Sequence, residues 1–402
     1  MTTERLAVPV SGTPTAGSSA RFWATAYTLL FLLTGTNLPT PLYRGYQQDF
    51  GFSPLVVTLI FAVYVATLIP SLLIAGPLSD SIGRRKVLLP AVVLAALGSL
   101  AFALADNIMW LFGARLLQGL AVGAASGALT AALSELEPHG DRRRAALVST
   151  VASVGGLGAG PLIAGLLAQY APSPRVLPFV VEILLLVPAA IAMATLPKTH
   201  TTTKWRPRRP SIPSSMRGVF VSSGTASFLA FTVIGLFLSL VPTYVTKLSG
   251  SSNLALAGGA VTLMLACSVL AQIRASGKES LGIQIAGLAM LAAGLVLLAV
   301  AGDISSLPLL LVATVIGGLG QGLAFLGGIT EINHAAPKDR HADVLSSFYV
   351  VIYLGVGVPV IGVGFLATAT GLLQAVQLFA GVVAVLCLVD LAVLARKRRA
   401  HA

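Results

Sequence analysis

Stretches of about twenty apolar residues, parted by short polar joints, fill this chain almost from end to end. A helix of about 20 such residues spans the hydrocarbon core of a bilayer. Twelve runs have that character: 22–43, 55–77, 87–105, 108–134, 145–169, 176–196, 218–242, 254–274, 281–301, 307–333, 344–367 and 372–395. Of the 402 residues, 56% are hydrophobic and only 10% are charged, and the mean hydropathy is +0.89. A water-soluble chain usually carries about a quarter charged residues. The pattern therefore predicts an all-α membrane protein with 12 transmembrane helices, since a helix satisfies its own backbone in lipid.

The net charge of +12 would suggest a nucleic-acid partner in a soluble protein, but here the bases lie in the joints. If the runs alternate direction, 22 of the 26 Lys and Arg residues fall on one side, and only Arg44, Arg175 and Lys247 on the other. Arg115 lies inside a run. Positive loops stay cytoplasmic, so both termini are expected there, in a cell (inner or plasma) membrane. The polar segment 1–21 reads as a disordered cytoplasmic leader, 197–217 as a basic, Pro-rich linker and 396–402 as a basic tail. Residues 22–196 and 218–395 are then two six-helix bundles.

The halves resemble each other. "GLAVG" at 119–123 aligns with "GLGQG" at 318–322, an offset of 199. Pro41 and Tyr43 match Pro242 and Tyr244 at 201, and Gly158, Gly160 and Gly165 match Gly355, Gly357 and Gly362 at 197. Such repeats, in pseudo-symmetric bundles, are one transporter architecture, with the substrate held between them.

The joint after the second run reads "GPLSDSIGRRK", 76–86. It resembles the signature of the major facilitator superfamily, G-x-L-a-D-r-x-G-r-[RK]-x, through Gly76, Leu78, Asp80, Gly83, Arg84, Arg85 and Lys86, with Ser79 and Ser81 departing from it. Arg115-x-x-Gln118-Gly119 resembles the family's second motif. Gly156, Gly160, Pro161 and Gly165 resemble its antiporter motif, with Ala164 in place of one glycine. The resemblance covers the whole chain and is nearest to the 12-span drug:proton antiporter type. It implies a cytoplasmic latch between the halves, in which Asp80 meets the start of span eleven near Ala342 to Ser346. Glu135 stands near enough in sequence position to pair with the Arg84 or Arg142 cluster. The resemblance also ties Arg115 to proton coupling; by itself such a residue can instead snorkel outward or bind backbone carbonyls.

The residues themselves add detail. Pro161 leaves the carbonyl of Leu157 without its helical partner. Asn37, just before a helix bend at Pro39 and Pro41, either enters a cavity or is satisfied by a neighbouring helix, and Gln118 and Gln321 either line the cavity or pack. Antiporters of this type often carry an acid in span one, and this chain has none. Glu182 in span six lies at a depth similar to Arg115. It either pairs or exchanges a proton with Arg115, or serves helix packing. Cys267 and Cys387 read as packing residues, and the five histidines form no metal pattern.

No phosphate-binding loop G-x-x-x-x-G-K-[ST] occurs, so energy is expected from an ion or substrate gradient rather than from ATP. No enzyme activity, metal or cofactor is expected. The expected function is export of a small amphipathic compound or drug by proton antiport. The alternative is a proton-coupled importer or facilitator of a small metabolite. Partners are the substrate, protons and membrane lipid, with no nucleic acid, and the chain is expected to be a monomer.

Overall fold

The computed structural model describes residues 16–197, 205, 211–337 and 340–401. The leader through residue 15 and most of the linker lie outside them. All regular structure among the described residues is helical. Fourteen α-helices run in chain order: α1 Ala16–Asn37, α2 Tyr43–Phe50, α3 Pro54–Ile82, α4 Arg84–Ala103, α5 Ile108–Leu136, α6 Arg142–Tyr170, α7 Leu177–Ala194, α8 Arg217–Ser239, α9 Val241–Ser249, α10 Leu254–Ala275, α11 Ser280–Asp303, α12 Leu307–Ala335, α13 His341–Thr370 and α14 Leu372–His401.

Among the described residues eleven helices are long and apolar enough to cross a membrane, so this is a multi-pass membrane fold. The 22-residue α1 falls short on composition. The cause is its place in the fold. It packs on α5, α6 and α7 and buries Thr25, Thr28, Thr34, Thr36 and Asn37. Each of these threonine hydroxyls donates to the carbonyl four residues back, which hides its polarity inside the helix.

The first and seventh runs are shorter as helices than their apolar lengths suggest. Asn37 and Ser239 end α1 and α8, and α2 and α9 follow, with a single 3-10 turn at Thr40–Leu42 before α2. Proline removes a backbone donor and opposes helix in the residue before it, which explains breaks at Pro39, Pro41 and Pro242. Tyr43 and Tyr244, the matched tyrosines just beyond, are both fully buried.

Helix packing repeats between the halves. In the first lobe α1 packs on α5, α6 and α7, α5 packs on α3 and α4, and α4 packs on α7. In the second, α8 packs on α12, α13 and α14, α12 packs on α10 and α11, and α11 packs on α14. Glycines allow the close approaches. A methyl on Gly123 would meet the Leu68 carbonyl of α3 at 2.5 Å, and one on Gly318 would meet the Met264 carbonyl of α10 at 2.5 Å. Small residues let membrane helices approach at their backbones.

One expected alignment shifts. Gly156 faces the Leu30 carbonyl and Gly355 the Phe228 carbonyl; Gly158 faces Leu265 and Gly357 faces Val65; Gly165 faces Leu254 and Gly364 faces Thr58. These equivalent contacts set the offset at 199 here, not 197. Gly362, matched to Gly165 from sequence, has open space about it. Apolar helices rich in glycine align in several registers by sequence, and only the packing partner chooses among them.

Candidate functional site

The lobes meet along two equivalent seams, α6 on α10 and α3 on α13. In the first, the Thr262 hydroxyl donates to the Gly158 carbonyl at 2.7 Å and the Leu254 N–H to Gln169 Oε1 at 2.8 Å. A methyl on Gly258 would overlap the Pro161 carbonyl, and one on Gly165 would meet the Leu254 carbonyl at 2.5 Å. In the second seam the Leu55 N–H donates to Thr368 Oγ1 at 3.1 Å. Both seams lie at the helix ends away from the basic joints.

Toward the basic joints the lobes enclose a cavity of about 520 Å³. Its first-lobe wall carries the hydroxyls of Ser126, Thr130, Ser134 and Ser153, with Thr36 and Asn37 at the end of α1. Its second-lobe wall carries Phe231, Phe325, Tyr349 and Tyr353, with Ser268, Gln272 and Gln321. Phe231 and Phe325 meet edge to face at 5.1 Å, and Tyr349 and Tyr353 stack at 6.4 Å. Among the described residues no charged side chain lines it. Gln321 Oε1 accepts from Ser268 at 2.5 Å. Asn37 Nδ2 donates to the Leu157 carbonyl at 3.0 Å, so the acceptor freed by Pro161 is satisfied across helices by a residue that also lines the cavity. Gly156 and Gly160 pack on α1 and Gly165 on α10, so this one glycine–proline segment touches both lobes.

Arg115 is wholly buried in α5. It donates through Nε to the Tyr43 hydroxyl at 2.7 Å, and through Nη1 to the Thr36 carbonyl at 2.6 Å and Gln118 Oε1 at 3.0 Å. Its guanidinium carbon lies 5.5–5.7 Å from the ring centres of Tyr43, Phe61, Tyr64 and Phe102, a cage suited to a desolvated cation. Gln118 Nε2 donates to the Gly35 carbonyl at 3.0 Å, so Gln118 serves α1 rather than the cavity wall.

Glu182 is buried in α7 and accepts from the Ser99 hydroxyl of α4 at 2.5 Å. It forms no ion pair with Arg115 within 4.0 Å. Instead the two approach α1 separately. The carboxylate lies where a side chain on Gly35 would be, since a methyl there would overlap Oε1 and Cδ and reach Oε2 at 2.9 Å. Arg115 and Gln118 hold the carbonyls of Thr36 and Gly35. Three consecutive residues of α1, Gly35 to Asn37, thus connect both buried ionisable groups to the cavity.

The motif at 76–86 is almost wholly helical. α3 runs through Ile82, α4 starts at Arg84, and Gly83 alone joins them at φ +96°, a region that disfavours other residues. Gly76 has open space around it, so its packing does not demand glycine. Arg84 makes a two-pronged bond to Glu135, Nε to Oε2 at 2.8 Å and Nη2 to Oε1 at 2.5 Å, and its Nη2 lies 3.6 Å from Asp80. Arg85 is half-buried beside it. At the start of α13 the hydroxyls of Ser346 and Ser347 turn back to the carbonyls of Ala342 and Asp343. Glu331, near the same end of α12, accepts from Ser280, and among the described residues it pairs with no basic side chain.

The next joint is held by Glu137, whose side chain is inaccessible to solvent. Its carboxylate accepts from the N–H groups of His139 and Asp141, both at 2.7 Å, and from Arg144 at 3.1 Å. Desolvation pushes its pKa up, but the two N–H groups and the charges of Arg144 and His139 outweigh that and hold it below the ordinary glutamate range.

Residues 24–282 match the family model described as Major Facilitator Superfamily. The chain belongs to that superfamily. The superfamily is one of membrane transporters rather than of enzymes. Over 188 residues it is 30% identical to the MdtD protein of Shigella boydii serotype 4 (strain Sb227), by name a candidate multidrug resistance protein. Over 173 residues it is 33% identical to the puromycin resistance protein pur8 of Streptomyces alboniger. These matches take in 46% and 41% of this chain and only 39% and 34% of the lengths of those relatives. Among solved structures it resembles a peptide transporter POT, with TM-score 0.77 at 16% identity over 94% of both chains. It also resembles the nucleoside transporter NupG, with TM-score 0.76 at 13% identity over 93% of this chain and 99% of the other. A bacterial homologue of the human lysosomal transporter Spinster, inward-facing and occupied, gives TM-score 0.74 at 15% identity over 95% and 97%. At these identities the likeness concerns the fold.

Within this superfamily fold, sequence reasoning had passed over three participants: Tyr43 as a partner of Arg115, Ser99 as the donor to Glu182, and Gly35 as the space the carboxylate fills. Tyr43 carried a signal, its recurrence as Tyr244. Ser99 and Gly35 are small residues in apolar runs and carried none. Among the described residues no group of three or more His, Cys, Asp or Glu gathers as a metal site.

Proposed function

We propose that the chain is a proton-coupled secondary transporter that carries a small, uncharged, amphipathic molecule by alternating access. In this reading twelve helices, α1 included, span a cell (inner or plasma) membrane as two six-helix bundles. Both termini and the basic joints face the cytoplasm, and the molecule works as a monomer. The state described here is open toward the basic joints and sealed at the opposite seams.

One observation carries the proposal: Gly35 to Asn37 of α1 meets the buried Glu182 and the buried Arg115 on one side and the cavity on the other. A proton gained by Glu182 removes a charge beside Gly35 and turns an acceptor toward Ser99 into a group that can also donate. The resulting shift in α1 moves Thr36 and Asn37 in the cavity wall and biases which end opens. Proton and substrate thus bind at separate places linked by one helix. Arg84, Glu135 and Asp80 form the first-lobe half of a latch that engages the start of α13, near Ala342 to Ser346, when the basic end closes. The uncharged wall supports a substrate of low net charge.

Two directions follow from two observations. The full-length likenesses, which are of fold, are to proteins named as peptide and nucleoside transporters, which fits a small metabolite as the cargo in the uptake or facilitation reading. The partial likenesses to proteins named for resistance, with the glycine–proline segment of α6, support export by antiport. Of the two, the full-length likenesses weigh more.

The test is transport in proteoliposomes with an imposed pH gradient, an internal pH dye and a panel of uncharged compounds. A transported compound moves protons with it or against it, and the sign separates uptake from export. Glu182→Gln is expected to abolish uphill movement while leaving downhill exchange. Uphill transport of unchanged pH dependence in both Glu182→Gln and Arg115→Ala would refute the coupling route.

A further inference from the structure

Three basic residues break the charge rule of this chain: Arg44, Arg175 and Lys247. Arg175 is neutralised by an ion pair with Asp49. The other two belong to different lobes, Arg44 to α2 and Lys247 to the last turn of α9. Both nevertheless line one pocket of about 330 Å³, together with Gln47, Thr243 and Thr246. Among the described residues no acidic side chain lines it. Nη1 of Arg44 is shielded from solvent and has no hydrogen-bond partner among the described residues.

Such an arrangement is unfavourable as it stands. Two like charges facing one small space repel, and a guanidinium N–H without an acceptor loses its hydration uncompensated. An anion removes both penalties. A guanidinium suits an oxyanion best, because its fixed donors match two oxygens of a phosphate-type group. Gln47 and Thr243 supply neutral donors around the same space, while the Thr246 hydroxyl already donates to the Thr243 carbonyl.

The position gives the site a consequence. Pro54 lines the pocket next to Leu55, which bonds to Thr368 in the α3–α13 seam, and Leu372 lines it just past the end of α13. We propose that this pocket binds a phosphate-type oxyanion, and that the bound anion ties the two lobes together at the closed end of the cleft. It thereby favours the state whose cavity opens toward the basic joints.

The test uses the full chain in dodecyl maltoside, an uncharged detergent without phosphate. Sodium phosphate is titrated at constant ionic strength against sodium chloride, and the apparent Tm is followed. The expected result is a saturable rise in Tm. Arg44→Gln and Lys247→Gln each raise the half-saturating concentration at least tenfold, and Arg44→Lys raises it by less, because it keeps the charge and loses the two-point donor fork. A parallel titration with phosphatidylglycerol identifies the source: a rise dependent on Arg44 and Lys247 with lipid but not with free phosphate assigns the site to a lipid headgroup. A Gln47→Cys thiol, made with both native cysteines replaced by serine, is labelled by maleimide more slowly in phosphate or phosphatidylglycerol than in chloride. No saturable rise with either ligand overturns the proposal. So does a rise that persists in the Arg44→Gln/Lys247→Gln double variant, or a labelling rate that neither ligand changes.

Discussion

Gly35→Ala tests whether Glu182 reads the conformation of α1. The added methyl cannot share space with the Glu182 carboxylate, which overlaps its position and lies 2.9 Å away even at Oε2. Either α1 or the carboxylate must move, and the shorter path is for the carboxylate to leave Ser99. That breaks a buried bond of 2.5 Å to an ionisable group. Such bonds contribute about 1.5–3 kcal/mol, so Gly35→Ala should cost about 2 kcal/mol. In a Glu182→Ala background the methyl enters vacated space, and Ala gains up to about 1 kcal/mol over Gly in a helix. The two substitutions should therefore couple by about 2–3 kcal/mol, far above the ~0.5 kcal/mol scatter of independent sites. The assay is reversible unfolding in mixed micelles of the wild type, both single variants and the double variant. Additive costs would show that the carboxylate does not occupy the space beside Gly35, and the proposed route from proton to cavity would fail with it.

Three further outcomes are expected. Gly258→Leu should wedge the α6–α10 seam at the Pro161 carbonyl; impermeant labelling of a Ser126→Cys thiol from the basic side should fall several-fold, and an unchanged rate would refute the seam's role. Asn37→Leu should lower stability by about 1–3 kcal/mol, because the Leu157 carbonyl loses its donor inside the protein; unfolding in mixed micelles would measure this. Glu137 has a lowered pKa in the folded state, so its stabilisation is fully present above the ordinary glutamate value of 4.5 and is lost as pH falls through the lower folded value. Tm measured from pH 7 to pH 3 should therefore fall less steeply in Glu137→Gln than in the wild type.

The membrane fold was legible because lipid leaves a chain few choices. Length and apolarity mark helices with little help from tertiary contacts, and Pro39 and Pro41 marked a bend, but the break before Pro242 was not read. The repeat was legible in outline, yet its register in α6 and α13 needed the packing partners, since glycines two residues apart fit either alignment. The motif at 76–86 was marked by its charges, but not as a continuation of α3. There Ser79 and Ser81 return their hydroxyls to the carbonyls of Gly76 and Leu78, which lets polar residues extend the helix. The freed carbonyl of Leu157 followed from Pro161, and Asn37 from its polarity. Only the fold shows that they meet. Ser99, Gly35 and Tyr43 depend on how α1, α4, α5 and α7 cross, and no periodicity within one helix encodes that.

The α3–α13 seam also sets a mechanical ratio. From Thr58, where α3 touches Gly364, to Asp80 is 22 residues of one helix, a lever of about 33 Å at 1.5 Å per residue, so a rotation of ~10° about the seam carries Asp80 about 6 Å. Near that fulcrum the same rotation moves atoms by only a fraction of an ångström. Glycine and threonine at the seam can absorb so small a shift without repacking, while the far end sweeps a distance comparable to a helix radius with its side chains. A large aperture can therefore open and close at one end of this molecule with scarcely any sliding at the other.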